Sequence, residues 1–169
     1  MPIQYETAEP QDLNEIFLVV QSAIQKMKEQ KIDQWDDIYP TREDFLEDIR
    51  KKQLRIGRMD GKIAVIYTIS EECDEQYQNG IWKEPERPFC ILHRLCVNPA
   101  VQHQGIAQRT MKRIEEEAEA MGYEAIRLDC FSGNPIACRL YQRLGYQKAG
   151  EASWRKGIFW LMEKYLKGA

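Results

Sequence analysis

Between Asn98 and Arg113, residue type and spacing point most directly to chemistry. Gln102, His103, Gln104, Gly105, Ile106, Ala107 and Gln108 follow an Asn98-Pro99 turn signal and open a helix that carries Arg109, Lys112 and Arg113 in its first turns. The same helix becomes acidic at Glu115, Glu116, Glu117 and Glu119. A helix on its own favours the reverse order, because its macrodipole is positive at the N-terminus. Its first turn also leaves backbone N–H groups without intrahelical partners. A phosphate placed there satisfies both the donors and the dipole. Gly105 has no Cβ, so a bulky anion can approach the backbone, and small Ala107 keeps the next turn clear. Taken alone, these residues leave two readings open. One is a phosphate cradle. The other is a turn glycine followed by solvated bases, with Lys112–Glu116 and Arg113–Glu117 paired at i,i+4 in the less favourable order. Neither GxxxxGK[ST] nor GxGxxG occurs in the chain, so the usual triphosphate and dinucleotide loops are missing.

The remaining chemistry-bearing residues are sparse. Histidine occurs twice, as His93 and His103, which gives little support to a His-rich metal site; no metal ligand set is expected. The cysteines are Cys73, Cys90, Cys96, Cys130 and Cys138, an odd number with no CxxC pair. A disulfide framework or zinc site is therefore not expected, and a reducing cytoplasm fits this usage best. His93 and Cys96 differ by three along a strand pattern, so on a regular strand they face opposite sides and make a poor nucleophilic dyad; a bulge would upset that parity.

The chain has 169 residues, 43% of them hydrophobic and 30% charged, enough for one domain with a substantial core. A formal net charge of -3 argues against a nucleic-acid partner held by overall positive charge. The stretch "IFLVVQSAI" is too short and too polar at its edges to span a bilayer, and no basic segment followed by an apolar run reads as a signal peptide. No nucleic-acid or membrane partner is expected.

The elements that must position these residues follow from periodicity and punctuation. Residues 3–8 read as a strand. Residues 10–30 read as a helix with Leu13, Ile16, Val20, Ala23, Ile24 and Met27 at helix spacing. Thr41 and Asp44 resemble a capping box opening a second helix through 53. Residues 54–59, an Asp60-Gly61 turn and residues 62–70 predict a β-hairpin. Residues 71–88 are polar and turn-rich and read as a loop. "FCILHRLCV" is a strongly apolar strand. The helix from Gly105 ends near Gly122, with Ala107, Met111, Ile114, Ala118 and Met121 on its buried face. "AIRLDCF" is a strand. A helix follows with Pro135 near its start and Gly145 at its end, and two strands finish the chain. The result is an α/β fold of the mixed α+β kind, one sheet with helices packed on it.

With these elements in place, Gln102-x-x-Gly105-x-Ala107 resembles the Q/R-x-x-G-x-G/A signature of the GNAT superfamily of acyl-CoA-dependent N-acyltransferases. "NPIACRLYQRLGY" is similar to that family's N-x-x-A-x-x-x-Y segment with its "LGY" ending. The departures are mild: Gln102 in place of the commoner arginine, and Ala107 in place of the second glycine. The resemblance implies a single domain over 1–169 with a mixed, mostly antiparallel sheet of about seven strands and about four helices. It implies a bulge in the fourth strand and a splay between the fourth and fifth. It implies acetyl-CoA as cosubstrate, with its pyrophosphate on the amides from Gln102 to Gln108. The pantetheine arm would pair with Leu95, Cys96 and Val97 and touch Asn134 and Ala137.

Within that resemblance, Tyr141 sits beside the CoA sulfur. A phenol with a pKa of about 10 stays protonated near neutrality and can donate to a thiolate. The same residues also allow plainer roles: Asn134 as an ordinary N-cap before Pro135, and Tyr141 on an apolar face with Ala137, Leu140 and Leu144. His93, with an ordinary pKa of about 6.5, fits a general base, a substrate contact or a filler of the sheet surface equally well. Trp35 and Tyr39 in "QWDDIYP" either stack on an acceptor or anchor their loop, and Asp36 or Asp37 is placed to hold a cation. The implied reaction is direct transfer of acetyl to a primary amine in a ternary complex, the acceptor being a small molecule or a peptide. A noncatalytic acyl-CoA sensor on the same fold is the alternative. Family members form dimers, so a homodimer is among the assemblies the resemblance allows.

Overall fold

The structure, a computed structural model, describes residues 1–166; the last three positions of the expected domain lie outside the described residues. Seven strands form one sheet in the order β1-β2-β3-β4-β5-β7-β6. They are β1 (Gln4–Thr7), β2 (Leu54–Met59), β3 (Lys62–Ser70), β4 (Phe89–Val97), β5 (Ala125–Phe131), β6 (Gln147–Trp154) and β7 (Gly157–Tyr165). The helices are α1 (Leu13–Glu29), α2 (Arg42–Arg50), α3 (Ile106–Ala120) and α4 (Pro135–Arg143). β1–β2, β2–β3, β5–β7 and β6–β7 pair antiparallel, and β4–β5 pairs parallel. The β4–β5 register covers Phe89↔Ala125, Cys90↔Ile126 and Ile91↔Arg127 and then stops well before either strand ends. This is the splay expected from the sequence.

The chain divides into two compact units. The first comprises Met1–Ile69 and His93–Met111. Its core gathers Ile16, Val20, Phe45, Leu54, Ile56 and Ile66, none of them measurably exposed. Removing a buried phenylalanine ring such as that of Phe45 costs about 3–5 kcal/mol. Local signals fix its elements. Thr41 Oγ1 accepts from the Asp44 N–H at 3.2 Å while the Thr41 N–H donates to Asp44 Oδ2 at 2.7 Å, closing the capping box. Asp60 and Gly61 both take positive φ, 52° and 78°, as a two-residue hairpin turn requires. The residues expected to begin α1 instead form a 3-10 turn, Pro10–Asp12.

The second unit comprises Ser70–Leu92 and Lys112 onward. Tyr77, Ile91, Ala152 and Leu161 form one buried cluster, with Trp82, Phe89 and Trp154 packed against it. The polar segment read as a plain loop contains a 3-10 helix, Glu75–Asn79. Its Tyr77 is buried and donates to Asp129 Oδ2 at 2.7 Å. Expectation and structure also part at Met121. Met111, Ile114 and Ala118 are fully buried, but Met121 is 50% exposed because α3 has ended at Ala120, so the helical periodicity no longer governs it.

Candidate active site

In the first unit, Asn98 fixes the exit of β4. Its N–H donates to the Ala64 carbonyl at 2.7 Å, its Nδ2 to the Ile63 carbonyl at 2.9 Å, and its Oδ1 accepts from the Ala100 N–H at 3.0 Å. A 3-10 turn, Pro99–Val101, follows. His103 and Gly105 then take positive φ, 69° and 68°, and residues 103–105 are exposed. Ile106, 2% exposed, inserts among Met59, Ala64 and Val65 and anchors the front of α3. A Cβ built on Gly105 meets nothing within 4 Å, so the space before the helix is open. The first intrahelical bond runs from the Arg109 N–H to the Gly105 carbonyl at 3.0 Å. Helix geometry therefore leaves the Ile106, Ala107 and Gln108 N–H groups without partners along the chain. The first turn holds no acidic residue.

The reversed charge order along α3 has a partial structural cause. Glu115 accepts from Lys164 Nζ at 2.9 Å and from the Tyr146 hydroxyl at 3.1 Å, and Glu117 pairs with Arg113 at 3.7 Å. Glu115 and Glu117 are thus placed by their partners. At the front, Arg109 donates to the Met1 carbonyl.

One residue of β4 leaves the extended conformation. Arg94 sits in mid-strand with φ of 53°, a left-handed conformation that costs a non-glycine residue about 1–2 kcal/mol. Around it, Leu95 and Val97 pack with Ile106, whereas Cys96 joins the core with Ile16 and Trp35. Arg94 Nε and Nη2 donate to Asp48 Oδ2 and Oδ1, each at 2.8 Å, and Nη1 donates to the Tyr39 hydroxyl at 2.7 Å. Thr68 Oγ1 donates to Asp48 Oδ2 at 3.0 Å. Burial alone lowers the Arg94 pKa, but Tyr39 and Asp48 outweigh it, and the guanidinium is held above its usual value. Neither Arg94 nor Asp48 stood out in the sequence. The available signal was Asp48 on the apolar face of α2 beside Phe45 and Ile49.

The segment carrying Trp35 and Tyr39 divides in function. Trp35 is 8% exposed within the hydrophobic core, the position of a loop anchor. Tyr39 is 39% exposed and held by Arg94. Asp36 Oδ1 accepts from the Ile38 and Tyr39 N–H groups at 3.0 and 3.1 Å, so its carboxylate shapes the loop. His93 lies half-buried on β4 beside Arg94.

In the second unit, Asn134 caps α4: its Oδ1 accepts from the Ala137 N–H at 3.2 Å, with Pro135 at the first helical position. Tyr141 is half-buried, edge-on to Tyr146 with ring centroids 5.9 Å apart. Burial pushes its phenol pKa up, and Cys130, Asp129 and Cys138 add to the shift. Cys130 and Cys138 are free thiols with sulfurs 2.6 Å apart. In the first unit, burial raises Cys96 from 9.0 to about 12. A buried thiol that resists ionisation is a poor nucleophile. Among the described residues, no group of three or more His, Cys, Asp or Glu side chains is arranged to hold a metal ion. No described helix is long and apolar enough to cross a membrane.

The family described as acetyltransferase (GNAT) matches residues 24–146. An acetyltransferase of Agrobacterium fabrum is 30% identical over 95 residues, which cover 54% of this chain and 68% of that protein. A spermine/spermidine N(1)-acetyltransferase of Bacillus subtilis is 33% identical over 88 residues, covering 51% of this chain and 52% of the Bacillus protein, about half its length. Among solved structures, a GNAT-family acetyltransferase of Streptococcus agalactiae superposes with a TM-score of 0.86 at 24% identity, over 98% of this chain and 96% of that one. The PaiA N-acetyltransferase of Thermoplasma acidophilum, solved in complex with coenzyme A, superposes with a TM-score of 0.71 at 15% identity, over 98% of this chain and 99% of that one.

Proposed function

Because this chain belongs to the acetyltransferase (GNAT) family, we propose that it transfers acetyl from acetyl-CoA to a primary amine by direct attack within a ternary complex. One observation carries the reading: the open, acid-free front of α3, where Gly105 at φ 68° leaves room before helix N–H groups that have no partners along the chain. A pyrophosphate is the ligand that such a helix front suits. The amides from Gln102 to Gln108 receive it, and the backbone of Leu95, Cys96 and Val97 receives the amides of the pantetheine arm. Asn134 and Ala137 contact the same arm.

In the proposed reaction the neutral amine attacks the thioester carbonyl carbon, the C–S bond breaks, and the amine loses a proton. An alkylamine with a pKa of about 10.4 is mostly protonated near neutrality, so a base is needed. His93 accepts that proton. Tyr141 donates to the departing sulfur; its raised pKa keeps the phenol protonated at the working pH. The burial of Cys96 supports direct transfer over an acyl-cysteine route. Tyr39, exposed and held by Arg94, is the aromatic contact for the acceptor. The spermidine-directed relative supports an amine as the acceptor class.

The test is release of free thiol from acetyl-CoA across a panel of polyamines, amino acids and peptides. Acceptor-dependent release supports the enzyme. Binding of acetyl-CoA without release by any amine would make the chain a sensor on the same fold.

A further inference from the structure

The second unit contains a buried cation that the acyl-transfer reading does not use. Arg127, on β5, is 6% exposed, and its Nε is buried without a hydrogen-bond partner. Its guanidinium carbon lies 3.6 Å from the ring centroid of Phe89 and 4.2 Å from that of Trp82. Aromatic rings stabilise the charge through their quadrupoles, but they do not accept the in-plane N–H bonds that a guanidinium offers. The cross-strand neighbour is Glu163. Its oxygens are already engaged, Oε2 by the Lys83 N–H at 2.9 Å and Oε1 by the Tyr165 hydroxyl at 2.8 Å. Burial lowers the Arg127 pKa, with Glu163 only partly opposing it. A buried donor left unsatisfied is destabilising, the more so when it is charged.

Arg127 lines a cavity of about 300 Å³ together with Tyr77, Trp82, Asp74 and Glu75. Tyr77 and Trp82 stack with centroids 6.0 Å apart and make an aromatic wall. Asp74 and Glu75 are exposed. We propose that this cavity binds the carboxylate of a small, amino-acid-sized molecule, with Arg127 as its ionic partner. The planar fork of guanidinium N–H groups matches a carboxylate edge to edge. A phosphate dianion fits less well, because Glu163, Asp74 and Glu75 place negative charge around the same space. The volume lies at the lower end of the range for small-molecule sites.

The probe is N-acetyl-L-alanine, a carboxylate with no free amine, followed by the Arg127 Nε–H resonance in NMR and by calorimetry. Its neutral amide and inorganic phosphate serve as comparisons. The carboxylate is expected to shift the Arg127 signal saturably, and the amide to bind about tenfold more weakly or worse. R127M should lose about tenfold or more in affinity. E163Q removes the competing negative charge while keeping an acceptor for the Lys83 N–H, so it should bind the carboxylate more tightly, a gain that misfolding does not produce. Equal binding of acid and amide, undiminished binding to R127M, tighter binding of phosphate, or no saturable shift at all would each overturn the proposal.

Discussion

Arg94 grips both carboxylate oxygens of Asp48 at 2.8 Å from a strand position whose φ is 53°. The bond fixes two things at once. It holds the left-handed residue of β4 next to the segment proposed to receive pantetheine, and through Nη1 it orients Tyr39 on the proposed acceptor side. The side chains of Arg94 and Asp48 are 17% and 7% exposed, so the pair is largely out of water.

Asp48→Ala should therefore cost about 3–5 kcal/mol, because it strands a buried guanidinium. Replacing both partners with Asp48→Leu and Arg94→Met should cost less than the sum of the single changes. Urea unfolding of the four proteins measures the coupling; strict additivity would mean that the pair contributes nothing as a pair.

Tyr141→Phe should lower kcat by about 10²-fold while leaving acetyl-CoA affinity near that of the parent, the signature of lost acid catalysis. Single-turnover kinetics with calorimetry separates the two. An unchanged rate with chemistry limiting would remove Tyr141 from the mechanism.

A base must be neutral to accept a proton, so His93 as the base predicts a rate that rises with pH. His93→Gln should flatten that rise in a pH–rate profile. A variant that keeps the parent's rise would show that another group is the base.

Cys96 gives a stability prediction with a definite sign. Burial raises its thiol from 9.0 to about 12. A raised native pKa means that the unfolded chain releases its proton first. The contribution is intact below about pH 9 and is lost as pH climbs toward 12, by about 1.4 kcal/mol per pH unit. Cys96→Ala should have a shallower loss of stability across that window, read from urea midpoints, and should keep turnover if transfer is direct. Abolished turnover in a folded Cys96→Ala protein would favour an acyl-cysteine.

What the sequence made legible was local. The Thr41–Asp44 capping box and the Asp60-Gly61 turn are encoded within four residues, and both form as read. The α3 stripe held for Met111, Ile114 and Ala118 and failed for Met121, where the helix had ended. What remained hidden was long-range. Arg94 meets Asp48 across 46 residues, and Tyr77 meets Asp129 across 52, pairings that no periodicity announces. A polar loop composition likewise concealed the buried Tyr77, because two aromatics, Tyr77 and Trp82, pack an otherwise polar segment. At Gly105 the sequence offered only the missing Cβ; the positive φ and the open space before the helix came from the structure.

Whether the front of α3 grips the pyrophosphate of acetyl-CoA is decided by calorimetric titration of the parent and Gly105→Glu with acetyl-CoA. Gly105→Ala serves as the control for the backbone strain that any side chain incurs at φ 68°, about 1–2 kcal/mol. The parent should bind at submillimolar concentration, the alanine variant modestly more weakly, and the glutamate variant about 10²-fold or more weakly, because a carboxylate occupies the anion's place. Equal affinity of a folded Gly105→Glu protein and the parent would put the pyrophosphate somewhere other than the front of α3.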